Sequence, residues 1–323
     1  MGSFLDNKTL LITGGTGSFG HVFTHLVLNE HKPKAIRIYS RSELPQVEME
    51  RDCSDPRLRF LIGDVRDKER LYRAMSGVDI VVHTAALKHV PVCEYNPIEA
   101  IRTNILGAVN VVECAIEHKV EKVIALSTDK AVAPLNLYGA TKAVSEKLFI
   151  QANSYSGGRL PKFSVVRYGN VANSRGSILP LLRQQEPQGE FTLTDPRMTR
   201  FWITLEQGVR FTLFSLEQMV GGEVFIPKLP SIRVQDLMSA VGKDIPVKVT
   251  GIRPGEKLSE VLFTDEEVCQ VREFVGYYVL QPQFSFWREG TLIGGSTVPD
   301  GFTYCSDKGL LSKEEVAELV REM

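Results

Sequence analysis

Hydrophobic residues in the first half of the chain fall into short runs separated by amphipathic stretches. The runs are rich in β-branched residues and mostly lack strict alternation, which is typical of strands covered on both faces. They predict strands at residues 9–13, 35–39, 59–62, 79–83, 122–126 and 163–167. The stretches between them predict helices at residues 21–29, 68–75, 104–118 and 140–153. This alternation predicts an α/β fold with a doubly wound parallel sheet of the Rossmann type.

The pattern changes after about residue 168, where segments become short and prolines and glycines are frequent. Helices are predicted at residues 205–216 and 234–241, and an amphipathic helix at residues 312–322, with Ser312 as its N-cap and Glu315 at the capping-box position. We expect residues 1–170 to form the Rossmann core, with residues 198–228 returning to it. Residues 171–197 and 229–323 should form a smaller mixed α/β substrate lobe and the C-terminal helix.

Composition and charge narrow the function classes. The 323 residues carry a formal net charge of −1, whereas proteins that bind nucleic acids or membrane surfaces normally carry a basic excess. The five cysteines are scattered without Cys-x-x-Cys spacing, so neither a disulfide framework nor a zinc site is expected. No apolar run has the length of a membrane span, and no signal-peptide pattern opens the chain. These features predict a cytoplasmic protein with no metal.

A glycine-rich motif follows the first predicted strand directly and opens a helix. Its glycines follow the pattern G-x-x-G-x-x-G, which allows a tight turn and a close approach of the main chain to a pyrophosphate at the helix N-terminus. The alternative is a glycine-rich turn that binds no ligand. The motif residues expected to contact a dinucleotide are Gly14, Thr16, Gly17, Ser18, Phe19 and Gly20.

The end of the second predicted strand indicates which dinucleotide is bound. NAD-binding proteins usually place Asp or Glu here for the ribose hydroxyls, but this chain has Ser40-Arg41-Ser42. Arg41 can pair with a 2′-phosphate, assisted by the two serine hydroxyls, unless it is only a solvated surface residue. The sequence therefore predicts NADP as the cofactor. Further contacts are expected from Asp64 and Val65 at the adenine, and from Thr84, Ala85, Ala86 and Lys88 after the fourth strand.

The fifth predicted strand leads into Thr128-Asp129-Lys130, and Tyr138 and Lys142 follow four residues apart. Residues at this spacing share one face of a helix. A nearby ammonium would lower the pKa of Tyr138 toward the working range, so that the tyrosine can accept the proton of a hydroxyl while hydride leaves the same carbon for a nicotinamide. Tyr138 and Lys142 would thus also contact the cofactor. The alternatives are a surface Tyr/Lys pair and an exposed turn at Asp129-Lys130.

Together these motifs resemble the extended short-chain dehydrogenase/reductase superfamily. More closely, the chain is similar to the UDP-N-acetylglucosamine 4,6-dehydratases that invert C5 and begin the route to pseudaminic acid. The resembling segments are residues 13–20, 39–41, 63–67, 86–91, 94–97, 127–130, 136–142, 166–171, 195–202 and 251–258.

The resemblance implies an NADP-dependent hydro-lyase and assigns roles to the catalytic residues. Tyr138, set by Lys142, would help to oxidise the sugar at C4. Lys130 would remove the C5 proton and Asp129 would protonate the leaving C6 hydroxyl. Hydride would then pass internally from C4 to C6 through NADP, giving a UDP-4-keto-6-deoxy-L-hexosamine. As a base, Lys130 must be partly neutral, and as an acid, Asp129 must hold a proton. The resemblance also suggests a homo-oligomer, possibly a hexamer.

Substrate contacts are expected where polar residues fall in the resembling segments, although any of the arginines could instead form a structural ion pair. These residues are Lys88, Asn170, Asn173, Arg197, Thr199, Arg200, Arg253 and Glu256. The chain departs from the family pattern at Ser42, Asn173 and Ser259, which bears on the identity of the sugar.

Two other functions are compatible with parts of this pattern. A UDP-sugar 4-epimerase, or another enzyme that modifies nucleotide sugars, needs the Tyr/Lys couple but neither a C5 base nor a C6 acid, so Asp129-Lys130 argues against it. A non-catalytic NADP-sensing protein on the same fold is a further alternative. Such proteins usually lose the tyrosine or the lysine, and both are present here.

Overall fold

The alternating half of the chain contains six strands and seven helices in the computed structural model, which describes residues 2–157, 159–172, 174, 176–284 and 294–321. The strands are β1 (Thr9–Thr13), β2 (Ala35–Ser40), β3 (Leu58–Ile62), β4 (Ile80–His83), β5 (Lys122–Thr128) and β6 (Lys162–Tyr168). The helices are α1 (Ser18–Glu30), α2 (Glu43–Asp52), α3 (Lys68–Met75), α4 (Val90–Tyr95), α5 (Pro97–Ile101), α6 (Gly107–Glu117) and α7 (Leu137–Ser156), with a π-helical segment at Arg102–Leu106 before α6.

The second half consists of shorter elements. Its strands are β7 (Asn170–Val171), β8 (Phe191–Leu193), β9 (Thr199–Ile203), β10 (Val224–Pro227), β11 (Ser231–Arg233), β12 (Val247–Val249), β13 (Val261–Phe263), β14 (Val271–Phe274), β15 (Tyr277–Leu280), β16 (Ser296–Thr297) and β17 (Tyr304–Cys305). Its helices are α8 (Ile178–Gln185), α9 (Leu205–Gln218), α10 (Val234–Val241) and α11 (Lys313–Arg321).

The main sheet has ten strands in the order β16-β14-β15-β10-β6-β5-β4-β1-β2-β3. From β10 to β3 all neighbours are parallel, and β15, β14 and β16 add an antiparallel edge. Strand order reverses between β1 and β4. In open α/β sheets ligands bind at such a reversal, beyond the carboxyl ends of the strands. The glycine motif after β1 and the catalytic candidates after β5 both lie at this edge.

Apolar side chains cover both faces of the sheet, which explains the unbroken hydrophobic runs. Along β1, Leu11 joins the core on one face, whereas Leu10 and Ile12 join the core on the other. A third apolar cluster includes Leu237 and also Trp202, which lies in the segment expected to return to the Rossmann core, residues 198–228. The predicted fold class is therefore confirmed. Among the described residues, no helix is long and apolar enough to cross a membrane.

Most predicted elements are present within a few residues, and the predicted bounds of α3 and α10 match the structure. The cap of α11 is also present: Glu315 N donates to Ser312 Oγ at 3.2 Å, and Ser312 N donates to Glu315 Oε2 at 2.7 Å. The main difference concerns the C-terminal region. Strands β14, β15 and β16 fall within the segment expected in the substrate lobe, residues 229–323, yet they extend the main sheet.

Candidate active site

The loop after β1 is closely packed and requires glycine. A Cβ on Gly14, whose φ is +68°, would lie 2.9 Å from Thr84 Oγ1, and one on Gly20 would lie 2.1 Å from Gly15 O. Gly17 is the N-cap of α1 and, as a glycine, has no side chain that could cap the helix. The start of this helix therefore offers main-chain amides, which suits the pyrophosphate of a dinucleotide.

The other motif residues flank this loop in different ways. Thr16 is buried, and Ser18 is the first residue of α1. The Phe19 ring stacks on Phe23 with ring centroids 5.9 Å apart, so its side chain packs on the core. The ring is therefore only partly exposed beside the glycine loop.

The end of β2 presents the three residues proposed for a 2′-phosphate. Ser40 is buried and its Oγ accepts a hydrogen bond from Gln46 Nε2 at 2.9 Å. Arg41 and Ser42 are exposed, and Ser42 is the N-cap of α2 without a side-chain capping bond. An exposed cation and a hydroxyl at a helix start are chemically suited to a phosphate. Their exposure fits a solvated surface position equally well.

The residues expected at the adenine and ribose lie on neighbouring loops. Asp64 is paired with Arg66 at 2.7 Å, and Val65 is buried. Burial acts to raise the pKa of Asp64, but the hydrogen bonds from Arg66 outweigh it and the pKa is lowered. Thr84 Oγ1 donates to Thr13 O at 2.6 Å, which ties the loop after β4 to β1. This loop continues through Ala85 and Ala86 to the exposed Lys88.

A buried charge cluster forms where β5 ends. Asp129 is fully buried, and its Oδ1 accepts hydrogen bonds from Thr128 Oγ1 at 2.9 Å and from Lys130 Nζ at 3.0 Å. Lys130 Nζ also lies 3.2 Å from Oε1 of the buried Glu260, and Arg200 Nε lies 3.9 Å from the same oxygen. The interpretation of Asp129-Lys130 as an exposed turn is therefore wrong.

The protonation expected for Lys130 differs from what its surroundings favour. Burial acts to lower the pKa of Lys130, but the charges of Asp129 and Glu260 outweigh it and raise the pKa. The prediction of a partly neutral Lys130 did not include the second carboxylate, Glu260. At rest Lys130 is an ammonium, and it becomes a base only if its proton moves to a neighbouring group.

Tyr138 is brought to this cluster by the start of α7. Asn136 caps the helix, with its Oδ1 accepting from Gly139 N at 2.8 Å. A Cβ on Gly139 would lie only 2.1 Å from Lys130 O. Glycine at this position therefore lets the helix lie against the main chain of Lys130. Burial raises the pKa of Tyr138 to about 12, although the charge of Lys130 and a hydrogen bond with Thr128 oppose the rise. The expected lowering of this pKa is therefore wrong for the protein without ligand.

Lys142 is buried one helical turn further along α7. Its Nζ donates to Leu126 O at 2.6 Å, on the strand that leads to Asp129. Burial lowers its pKa to about 8, with the charge of Glu146 opposing the change. Lys142 is thus part of the protein interior and Tyr138 is half-buried, so the interpretation as a surface pair is wrong.

A cavity of about 270 Å³ opens beside the charge cluster. Its polar wall includes five of the residues expected to act on the substrate: Lys130, Asn170, Arg200, Arg253 and Glu256. The Oδ1 atom of Asn170 is buried and has no hydrogen-bond partner in the described part of the chain, which leaves an acceptor available to a ligand. The rest of the wall is largely apolar and includes Val90, Leu181 and Met238.

Three described residues expected at the substrate do not line this cavity: Lys88, Arg197 and Thr199. Arg197 is 71% exposed and pairs with Asp195 at 2.8 Å. Because the adjacent Asp195 neutralises it in solvent, Arg197 forms the surface ion pair that was the alternative. Thr199 is buried, and its Oγ1 is hydrogen-bonded to Ser259 at 3.0 Å and to Ser306 at 2.9 Å. These contacts fix a structural role for Thr199. Asn173 lies outside the described residues.

Several polar residues of the cavity were missed by sequence reasoning, and three of them make contacts that shape the site. Asn136 links two parts of the wall, because its Nδ2 donates to Gly255 O at 2.8 Å. Lys257 donates to Val132 O at 2.6 Å, and Glu260 pairs with Lys130. Asn136 and Lys257 fall inside resembling segments, so a closer reading could have found them. Glu260 lies 130 residues beyond Lys130, and only the fold brings them together.

Known proteins agree with this architecture. The chain matches the family described as "Polysaccharide biosynthesis protein" over residues 10–282. It is 49% identical to a UDP-N-acetylglucosamine 4,6-dehydratase (inverting) of Campylobacter jejuni, over 98% of both chains. It is 46% identical to a UDP-glucose 4-epimerase of Rickettsia akari, over 85% of this chain and 83% of that protein.

Among solved structures, the X-ray structure of Pen from Bacillus thuringiensis matches with a TM-score of 0.93 at 38% identity, over 99% of both chains. The resemblance to inverting dehydratases that the motifs indicate is thereby confirmed. Because the family match spans most of the chain and these relatives cover it nearly end to end, the chain belongs to the polysaccharide biosynthesis protein family.

Proposed function

We propose that this protein is a UDP-N-acetylglucosamine 4,6-dehydratase that inverts C5 of the sugar. The observation that carries the proposal is the Asp129–Lys130 pair next to the cavity, in which a buried carboxylate and a mostly buried ammonium are joined by a 3.0 Å hydrogen bond. A 4-epimerase needs a group to handle the C4 hydroxyl proton but no acid at C6 and no base at C5. Burying two charged groups is costly, so a pair kept at this position points to chemistry that uses both.

The glycine loop and the end of β2 support NADP as the cofactor. The close approach of Gly14 to Thr84 allows only glycine in the loop that leads into α1, whose N-terminus suits a pyrophosphate, and Arg41 offers a cation to a 2′-phosphate. When bound, NADP would supply a reversible hydride acceptor that takes hydride from C4 and returns it to C6. Ser40 and Ser42 would flank the 2′-phosphate.

Tyr138 would act first, as the acceptor of the proton from the C4 hydroxyl. Its phenolate is favoured by the charge of Lys130, which opposes the effect of burial on the tyrosine. Lys130 therefore assists C4 oxidation while it is still an ammonium. The same ammonium cannot serve as a base in the next step until it has released its proton.

The hydrogen bond between Lys130 and Asp129 can supply both forms that dehydration needs. If the proton moves from Nζ to Oδ1, Lys130 becomes a neutral amine and Asp129 becomes a neutral acid. The amine can then remove the C5 proton, which the C4 ketone has made acidic, and Asp129 can protonate the leaving C6 hydroxyl. The two protonation demands on adjacent residues are thus met by one proton transfer.

The cavity suits a nucleotide sugar. Arg200 and Arg253 bring positive charge to its wall, as a diphosphate requires, and Asn170 offers an unpaired acceptor to a sugar hydroxyl or amide. Glu256 can accept hydrogen bonds from hydroxyl groups of the ligand. Lys88, on the loop after β4, would contribute where cofactor and sugar meet.

The test is the product formed from UDP-N-acetylglucosamine in deuterated water, identified by NMR. Protein stripped of nucleotide and reloaded with NADP should give a 4-keto-6-deoxy sugar with deuterium at C5 and inverted configuration. Loading with NAD instead should give a slower reaction, because Arg41 would lack its phosphate partner. A product changed only at C4 would show that the dehydratase assignment is wrong.

A product changed only at C4 is the product of a 4-epimerase. The similarity to the UDP-glucose 4-epimerase of Rickettsia akari makes this a specific alternative. The alternative leaves Asp129 and Lys130 without a chemical role. It predicts product formation without exchange of the C5 proton, so the same NMR spectrum distinguishes the two functions.

A further inference from the structure

Glu260 is a carboxylate of the charge cluster that no sequence motif assigned. Its side chain is 3% exposed and that of Asp129 is 1% exposed, and the two carboxylates flank Lys130 Nζ at 3.2 Å and 3.0 Å. One oxygen of each, Glu260 Oε2 and Asp129 Oδ2, has no hydrogen-bond partner within the described residues. Glu260 also contributes to the cavity wall.

The main chain of Glu260 is held independently of its carboxylate. Its N donates to Ser306 Oγ at 2.9 Å, and its O accepts from Ser306 N at 2.9 Å. These bonds anchor the residue in the lobe without using the side chain. The carboxylate is therefore not needed to fix its own segment at this point, and its short contact is with Lys130.

We propose that Glu260 is a positioning residue for Lys130, a lasting counter-ion that holds the amine in place and favours uptake of the C5 proton. The inference rests on the proposed dehydratase function. At rest, the Asp129–Lys130 pair holds one transferable proton. It makes Lys130 an ammonium or, after transfer, makes Asp129 a neutral acid. After the C5–H bond breaks, its electron pair enters the enolate of the 4-ketone and the proton forms a new N–H bond, so the pair holds two.

In that two-proton state Asp129 is a neutral acid and no longer a counter-ion. Arg200, 3.9 Å from Glu260, and Lys257 add positive charge to the same cluster. Glu260 is then the carboxylate that remains to offset the Lys130 ammonium. The cluster returns to its resting state when Asp129 gives its proton to the C6 hydroxyl, the C6–O bond breaks and water leaves.

This account predicts a selective defect in Glu260→Gln, which keeps the shape of the side chain and removes its charge. The second proton must then enter a cluster with one more net positive charge. We expect exchange of the C5 proton with deuterated water, and dehydration with it, to slow by roughly 100-fold, the size of a typical acid–base contribution. Oxidation at C4, followed as cofactor reduction in a single turnover, should change only a few-fold.

Two further variants separate charge from structure. Glu260→Asp keeps the charge on a shorter side chain and should recover part of the C5 exchange. Glu266→Gln removes an exposed carboxylate from the same region and should exchange C5 at the wild-type rate. Retained C4 oxidation in Glu260→Gln would itself demonstrate a folded site.

The measured rates distinguish a failure of the proposed function from a failure of the role proposed for Glu260. If wild-type protein neither exchanges C5 nor dehydrates, the proposed function fails, whatever Glu260 does. If wild-type protein dehydrates and Glu260→Gln exchanges C5 equally fast, the role of Glu260 is refuted. A parallel loss of C4 oxidation and C5 exchange would also refute it, because a residue that only maintains the fold would slow both steps together.

Discussion

Burial acts on the two lysines of the site with opposite outcomes. Lys130 contacts two buried carboxylates, and its pKa is raised although burial alone would lower it. Lys142 donates to the Leu126 carbonyl, and burial lowers its pKa to about 8. A carbonyl dipole offsets the lost hydration of an ammonium less well than a full negative charge. The residue type is the same, and the neighbouring groups decide which lysine stays charged.

The low-dielectric surroundings of Lys142 extend to His83, the last residue of β4. His83 is 1% exposed, and its Nδ1 lies 2.8 Å from Thr13 Oγ1. Burial, and then the charge of Lys142, lower its pKa from 6.5 to about 3. His83 is therefore neutral in the folded protein, while the unfolded chain binds a proton as soon as the pH falls below the ordinary histidine value.

This difference predicts a loss of stability in acid. The free energy of unfolding should be unaffected by His83 above its unfolded pKa of 6.5, and should fall as the pH drops from there toward about 3. The slope from this residue approaches about 1.4 kcal/mol per pH unit. Urea denaturation over this pH range should show a shallower dependence in His83→Gln than in wild type. The exposed His25, changed to Gln, is the control, and an equal change of slope in both variants would contradict the prediction.

Among the elements, α7 has a geometric requirement as tight as that of Gly20 in α1. Its first turn lies against Lys130 because Gly139 has no side chain. Gly139→Ala would force the helix away from the catalytic loop and should lower the free energy of unfolding by about 1–3 kcal/mol, as overpacking does. It should also slow C4 oxidation, because Tyr138 moves with the helix.

Gly208 in α9 provides the matched control. A Cβ there meets its nearest neighbour, the Tyr168 ring, only at 3.8 Å. Gly208→Ala should therefore keep the activity and gain up to about 1 kcal/mol of stability, the usual benefit of alanine in a helix. Denaturation midpoints compare the two variants directly. Equal stability of Gly139→Ala and Gly208→Ala would show that the close approach at Lys130 is unimportant.

Elements with strong periodicity were predictable, and elements fixed by distant contacts were not. The runs of β1 and β5 read as strands because both faces are buried, and α3 reads as a helix because its apolar residues Leu71, Ala74 and Met75 are the buried ones. The short helix α2 was missed because most of its residues are polar and only Gln46 and Met49 are buried. Its position depends on packing beside β2 and β3, which no local pattern records.

The same limit applies to the site. The Tyr138/Lys142 couple and Asp129-Lys130 are local motifs, so the sequence was sufficient to predict them. Glu260 reaches Lys130 only because the chain returns to the core after the lobe. The charge balance of the site, and with it the protonation of Lys130, was therefore not predictable from neighbours in sequence.

At the scale of the molecule, a buried ion-pair network holds the returning segment, residues 260–267, against the core. Arg167 on β6 pairs with Glu146 on α7 and with Glu267 at 3.1 Å, and its Nη1 donates to Leu262 O at 2.7 Å. Arg167 and Glu146 are 3% and 4% exposed. The network joins the core to residues just beyond Glu260. It thereby helps to determine where that carboxylate lies.

Breaking this network should be far more costly than breaking a surface pair. Arg167→Leu leaves Glu146 buried without its counter-ion and should lower the free energy of unfolding by about 3–5 kcal/mol. Arg210 pairs with Glu30 between α9 and α1 at 2.7 Å, but both side chains are more than 40% exposed (49% and 43%). Arg210→Leu should therefore cost no more than about 1 kcal/mol.

The double variant Arg167→Leu/Glu146→Leu tests the cause of that cost. If the penalty comes from an uncompensated buried charge, removing Glu146 as well should recover much of the stability, since an apolar pair can replace a buried ion pair with little loss. Urea denaturation of the two single variants and the double variant gives the coupling energy directly. If the double variant is no more stable than Arg167→Leu, the cost lies in the lost bonds to Leu262 and Glu267. Those contacts, rather than the charge of Glu146, would then hold the returning segment against the core.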